Sequence, residues 1–366
     1  KNEARVRFIQ QLRENLKKQM LSEYTEQQNK INTVLQKYKP LYPWLWNAEW
    51  DFEHILHPEI VKVFNDEKNG RKLFMEQLVK PEIEERVYSF PFFRAEFCDE
   101  LVAELRNYEQ TDGLPKDRPN SMNNYGVILN YIGLEPFVTD LFETYLTKIA
   151  QWLYPSNIDK HDEELPDEDL DFTHHGTLDH HHTFMVQYKM DADLFLDMHI
   201  DDSEVTFNVN LLDEFTGAEL AICGLAGEKK RRNHLLSYNH KKGRCLVHAG
   251  QQRHGARAIT AGERQNLIVW CRSSWYRTAN PHGSGKCACC KYRGKAFNDP
   301  DAICLSKTHD RDYDKWVDQF SNQSVHKENN FTIENELDDT ARAAQADDML
   351  VDDGDAEGKQ DDNPLL

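Results

Sequence analysis

No stretch of the 366-residue chain reaches eighteen consecutive apolar residues, so nothing in it is long and apolar enough to span a bilayer as a helix. An excess of basic charge is also missing. Forty-four Lys and Arg face 63 Asp and Glu, a formal net charge of −19, whereas a general nucleic-acid binder needs a positive footprint for phosphates. Nor is there a disulfide framework: of eight cysteines, Cys98, Cys223, Cys245 and Cys271 stand singly along the chain. That usage leans toward a reducing, intracellular compartment. The chain opens on Lys1 rather than Met, so its start is treated as a trimmed end and says nothing of localisation.

What is present is 39% hydrophobic, enough for one or two sizeable cores with polar extensions. The negative charge is unevenly placed. Residues 331–366 hold twelve Asp or Glu against Arg342 and Lys359, so residues 311–366 read as an acidic, largely disordered tail. Residues 1–38 lack Pro and Gly and carry Ile9, Leu12, Leu16 and Met20 at helical spacing, the pattern of a long amphipathic helix. It either packs on its own domain or offers a face to a partner. Residues 39–85 form a helical N-terminal region around the aromatic run Tyr42 to Phe52, followed by a helix from Gly70 to Lys80.

Residues 86–280 read as the catalytic domain. Val87 to Phe93 predicts a strand that Pro91 confines to an edge or bend. Helices follow at Phe97–Tyr108 and Glu135–Leu153, with an acidic insertion at 157–172. From Thr183 onward, short alternating segments are separated by turn signals such as Thr216-Gly217 and Lys242-Gly243. Several such strands in succession imply a sandwich or barrel. The expected fold is mainly β with flanking helices, its core a double-stranded β-helix, or jelly roll.

The chemistry concentrates between Tyr188 and Trp270. His199-x-Asp201 at a strand end places two side chains on one face, and the run Val205, Phe207, Val209 and Leu211, alternating with Thr206, Asn208 and Asn210, puts that pair beside a half-buried strand. His254 follows the turn Ala249 to Gln252, and is preferred as third ligand over His248, which is read as a wall residue. Two imidazoles and one carboxylate with open positions are the facial set of non-haem Fe(II) oxygenases, whereas a closed structural zinc site uses four protein ligands. Arg264 adds a planar cation able to grip a carboxylate with two parallel hydrogen bonds. The histidines at 174, 175 and 180–182 are not read as a metal site, because neighbours along a strand point to opposite faces. The asparagines from Asn120 to Asn124 form either a turn network or a wall of the substrate cleft.

The pattern His199-x-Asp201, His254-Gly and Arg264 resembles the prolyl 4-hydroxylase and lysyl hydroxylase class of Fe(II)/2-oxoglutarate dioxygenases. The segments Arg118-Pro-Asn-Ser-Met-Asn-Asn-Tyr-Gly-Val127, His254-Gly-Ala-Arg257 and Gly262 to Trp270 look similar to the 2-oxoglutarate and iron-dependent oxygenase domain-containing protein 2 family. The likeness runs from about Tyr38 to Cys290. It departs at Asp191, where many relatives carry Gly, and at Gly217-Ala218, where they carry a Gly-Gly pair. The resemblance implies Fe(II) on His199, Asp201 and His254, 2-oxoglutarate held by Arg264 with Tyr188 as a second hydrogen bond, and Asn266 in support. It also implies O2 as co-reactant, L-ascorbate to rescue oxidised iron, and a protein or peptide substrate. The alternative is a non-catalytic jelly-roll binding module that works through the N-terminal helix and acidic tail. Cys287, Cys290, Cys304 and His309, in or beside a C-terminal flap at 281–310, could hold a structural zinc; reduced thiols are the other reading.

Overall fold

The computed structural model describes residues 2–47, 49–155, 178–225 and 233–274. Its strands, in chain order, are β1 (Lys80–Ile83), β2 (Val87–Pro91), β3 (Gly126–Ile128), β4 (His180–Lys189), β5 (Leu196–His199) and β6 (Val205–Asn210), then β7 (Phe215–Gly217), β8 (Leu220–Leu225), β9 (Leu236–Tyr238), β10 (Arg244–Ala249), β11 (Gln252–Ala256) and β12 (Ile259–Arg272). They form two sheets. The larger runs β1-β2-β10-β6-β12-β4-β3, with β7 pairing on β12, and the smaller runs β5-β11-β8-β9. From β4 onward the chain steps back and forth between them, giving β4-β12-β6-β10 in one and β5-β11-β8-β9 in the other. This is the strand order of a jelly roll.

Alternation along single strands explains how the larger sheet serves two interiors. On β12, Leu267, Val269 and Cys271 join the main apolar cluster with the helices, while Ile268 and Trp270 turn to a second cluster between the sheets. Met185 on β4 faces the helices, and Phe184, Val186 and Tyr188 face inward. On β6, Val205, Phe207 and Val209 pack toward the helices. The alternating residues Thr206, Asn208 and Asn210 are buried as well. Half-burial of β6 was the expectation from its pattern, and the structure differs. Its polar face looks into the roll rather than into solvent.

Helices cover the outer face of the larger sheet. Helix Ala95–Gln110 buries Phe97, Leu101 and Leu105. The expected helix over 135–153 is a helix at Glu135–Leu141, a π-helical stretch at Phe142–Leu146, and a helix at Thr147–Leu153. Each fully buried Phe or Leu of this layer contributes roughly 1.5–3 kcal/mol. The N-terminal helix spans Asn2–Lys37. Met20 and Val34 are buried in it, and Lys30 bonds Asp117 at 2.9 Å, so its later turns pack on the rest of the chain. The helix expected from Gly70 to Lys80 ends earlier, at Leu78. Pro81 forces the residue before it into an extended conformation, and Lys80 begins β1 instead. β1 and β2 form an antiparallel pair, so the sheet starts ahead of Arg86. Pro91 lies at the end of β2, where its missing N–H costs no ladder bond.

One buried carboxylate joins the two N-terminal segments to this layer. Glu104, wholly buried on helix Ala95–Gln110, accepts from the Tyr38 hydroxyl, from Leu41 N–H at 3.2 Å and from Tyr42 N–H at 2.6 Å. Among the described residues, Cys98, Cys223, Cys245 and Cys271 are buried free thiols. Residues 157–172, His174 and His175, the four residues weighed for zinc, and the acidic tail lie outside the described residues.

Candidate active site

His199 closes β5 and pairs directly with His254 across the β5–β11 ladder, which brings their rings to 4.4 Å. Each ring is fixed from behind. His199 Nδ1 lies 2.7 Å from Asp197 O, and His254 Nδ1 lies 2.8 Å from Gln252 O. A carbonyl only accepts, so both Nδ1 atoms carry a proton, and the Nε2 atoms are those that the rings turn to the site. Asp201 receives them, with Oδ1 at 3.5 Å from His199 Nε2 and 3.6 Å from His254 Nε2. Its other oxygen accepts from Thr206 Oγ1 at 2.6 Å. Its backbone N–H donates to Gly250 O at 2.9 Å. Gly250 allows that approach: a Cβ there would lie 1.7 Å from Ser203 O.

His199, Asp201 and His254 each offer one ligand atom, and these atoms lie within 4.8 Å of one another. Burial drives the His254 pKa down to about 3. Burial opposes ionisation of Asp201, but the surrounding imidazoles outweigh it and hold the carboxyl well below the usual carboxylate range. A neutral His254 and an ionised Asp201 are the protonation states a cation requires, and His199, whose pKa burial lowers but Asp201 raises to a net upward shift, gives up its Nε2 proton to join them. The donor set, borderline nitrogen with one hard oxygen, suits Fe(II). His248 is fully buried and its Nε2 has no hydrogen-bond partner. That atom sits 3.7 Å from the outer Asp201 oxygen, and His248 stands behind the carboxylate as a wall.

The three residues share a cavity with Arg264, Tyr188, Asn120, Asn123 and Asn208, walled by Phe184, Val186, Leu196, Leu220, Ile268 and Trp270 and enclosing ≈ 420 Å³ of empty space including its mouth. Arg264 is only 1% exposed, yet it has no ion pair among the described residues. Its Nε donates to Asn266 Oδ1 at 2.8 Å, Nη1 to Ala218 O at 2.7 Å, and Nη2 to His240 Nε2 at 3.0 Å. The guanidinium also lies 5.0 Å from the Tyr188 ring centre. Burial lowers its pKa to about 10, which leaves it charged at neutral pH. Three of five N–H groups are used, leaving one on each terminal nitrogen. Asn266 in turn donates to Asn208 Oδ1.

Tyr188 is buried, and its hydroxyl accepts from Asn123 Nδ2 at 3.3 Å. Both expectations for the asparagine stretch hold together. Asn120 Oδ1 accepts from the N–H of Met122 and of Asn123, at 2.8 and 2.7 Å, while Asn120 and Asn123 also line the cavity. Asn124 is tied through its own N–H to Asp193 at 2.7 Å. Asp191 is exposed on the turn after β4 and lies clear of the cavity. Gly217 and Ala218 both have positive φ, 74° and 55°, so the alanine occupies a conformation that suits glycine. His181 bonds Thr139 at 2.9 Å, whereas His182 packs against Trp270, so these neighbours face opposite ways.

Residues 34–159 match the OGFOD2-like domain family. The chain is 36% identical over 245 residues, 66% of its length and 65% of the relative's, to the 2-oxoglutarate and iron-dependent oxygenase domain-containing protein 2 of Danio rerio. It is a homologue of that oxygenase-domain protein. A more distant relative is the multifunctional procollagen lysine hydroxylase and glycosyltransferase LH3 of Homo sapiens, 24% identical over 225 residues, 57% of this chain and 27% of that one. Among solved structures, a Pseudomonas putida prolyl-4-hydroxylase is similar with TM-score 0.31 at 16% identity, covering 60% of this chain and 93% of that one. The chain spans between half and two-thirds of the length of its oxygenase-domain relatives.

Three site residues escaped sequence reasoning. Thr206 and Asn208 were legible as the polar half of an alternating strand, but alternation does not say which half meets water. His240, a single histidine in the polar stretch Asn239 to Lys242, carried no signal.

Proposed function

We propose that the chain is an Fe(II)- and 2-oxoglutarate-dependent dioxygenase that hydroxylates a protein or peptide side chain and releases succinate and CO2. The observation that carries this reading is the juxtaposition, in one cavity, of a two-histidine, one-carboxylate cluster, buried but for part of His199, and a buried guanidinium with no counter-ion among the described residues. The cluster suits a divalent cation and the guanidinium suits a carboxylate. A cosubstrate that chelates metal at one end and bears a carboxylate at the other satisfies both.

His199, Asp201 and His254 would hold the iron, which together with O2 supplies the oxidising chemistry. Arg264 would receive the far carboxylate of 2-oxoglutarate, with Tyr188 at its flank supplying a hydroxyl. Asn266, Ala218 and His240 fix the guanidinium, and Thr206 fixes Asp201, so none of these groups has to reorganise when ligands enter. The apolar walls keep water from the reacting centre. The choice of a protein side chain rests on the relation to a procollagen lysine hydroxylase. L-Ascorbate is proposed as the reductant that restores iron oxidised in turnovers without substrate.

Replacing Asp201 with Ala removes the only carboxylate of the cluster and leaves two ligands. Anaerobic Fe(II) titration is expected to show binding lost or greatly weakened. Unchanged iron affinity in that variant sinks the assignment.

A further inference from the structure

Arg264 is held by acceptors from three separate parts of the fold, and none of them carries charge. Ala218 O comes from the strained turn before β8, Asn266 Oδ1 from β12 itself, and His240 Nε2 from the loop between β9 and β10. An arginine N–H can only donate, so at 3.0 Å His240 accepts through Nε2 as the neutral Nδ1–H tautomer, and the longer 3.4 Å approach of Asn266 Nδ2 to Nδ1 is a contact rather than a hydrogen bond. Burial and the neighbouring guanidinium hold the His240 pKa well below the ordinary histidine value. A buried arginine is ordinarily paired with a carboxylate, because an uncompensated buried charge is costly. An Asp or Glu at position 240 would be the cheaper way to anchor this one, and the chain has an imidazole there instead.

We propose that His240 is a positioning residue that fixes the Arg264 guanidinium without neutralising it, reserving the charge for the far carboxylate of a dicarboxylate cosubstrate. The inference rests on the cosubstrate reading given above. Anchoring and neutralising are separable properties. Glutamine at 240 supplies a neutral acceptor at a similar reach, leucine removes the acceptor, and glutamate accepts but cancels the charge.

The test compares His240→Gln, His240→Leu and His240→Glu with the parent protein as anaerobic Fe(II) complexes. Two probes are titrated: 2-oxoglutarate, and oxalate, which chelates metal but has no far carboxylate. Thermal unfolding midpoints are measured alongside. The glutamine variant is expected to bind 2-oxoglutarate within about threefold of the parent, and the leucine variant about tenfold more weakly. The glutamate variant is expected to bind about a hundredfold more weakly, with a midpoint at or above that of the leucine variant. Oxalate affinity stays constant throughout. A merely structural role makes affinity follow stability and lowers oxalate binding in parallel, and that result overturns the proposal. So does a glutamate variant that binds 2-oxoglutarate like the parent. If glutamate does not fold, the glutamine and leucine variants decide alone. If the parent binds oxalate but not 2-oxoglutarate, the cosubstrate reading fails and takes this inference with it; if the parent binds both and the leucine and glutamate variants match it, only the role of His240 fails.

Discussion

Arg264 is the residue whose removal should speak most clearly. Arg264→Ala leaves an incoming carboxylate buried without a partner, which costs on the order of 3–5 kcal/mol, or roughly a hundredfold to several-thousandfold in 2-oxoglutarate affinity. Arg264→Lys should recover part of this, since a point charge cannot reproduce a two-pronged grip. Arg257 is the control. Its side chain is exposed, and Arg257→Ala should bind 2-oxoglutarate like the parent in the same anaerobic titration. The cluster should also respond to pH. Burial lowers the His199 pKa, but hydrogen bonding and charge from Asp201 outweigh it and the net direction is upward. In the metal-free protein a raised pKa contributes stability below the unfolded value and loses it as pH rises through the folded one. Iron requires the opposite state, the neutral ring. Iron affinity should therefore fall about tenfold per pH unit once pH drops below the raised His199 value, measurable by titration at about pH 6, 7 and 8.

At the scale of elements, what the sequence made legible was periodicity, and what it concealed was which side of each element meets which neighbour. The His-x-Asp spacing and the turn before His254 named three ligand candidates that lie together, although Asp201 stands beyond the end of β5 and is placed by its bonds to Gly250 and Thr206 rather than by strand alternation. The same rule could not say that Thr206, Asn208 and Asn210 face a second interior, since a polar stripe looks alike whether it lines a cavity or faces water. Helix Ala95–Gln110 shows the same limit. Its apolar stripe was legible, yet Glu104 lies buried on it as the joint to Tyr38 and Tyr42. Glu104→Ala would leave the backbone N–H groups of Leu41 and Tyr42 without an acceptor and the Tyr38 hydroxyl with only the backbone oxygen of position 104, 3.1 Å away, destabilising by roughly 2–3 kcal/mol. A fall of about 5–10 °C in the unfolding midpoint is expected, and an unchanged midpoint would show that water replaces the carboxylate at no cost.

Over the whole molecule, the jelly roll followed from counting short alternating segments and turns. The boundary near residue 86 did not follow as cleanly, because β1 and β2 pair across it. Composition makes one further statement at this scale. Residues 331–366 are strongly acidic and poor in apolar side chains, so deleting them should move the unfolding midpoint by less than about 5 °C. A larger drop would show that the segment docks on the body.

The candidate metal centre also straddles the fold. His199 and His254 belong to the smaller sheet, while Asp201 is bonded to Thr206 on the larger one. An ion bound there would act as a rivet between the two halves of the roll, and its loss would be felt as loosening rather than only as inactivity. Iron supply and the survival of the chain would then be one quantity. Limited proteolysis should cut the chelator-treated protein faster than the iron-loaded form, and equal cutting rates would show that the sheets hold together without the rivet.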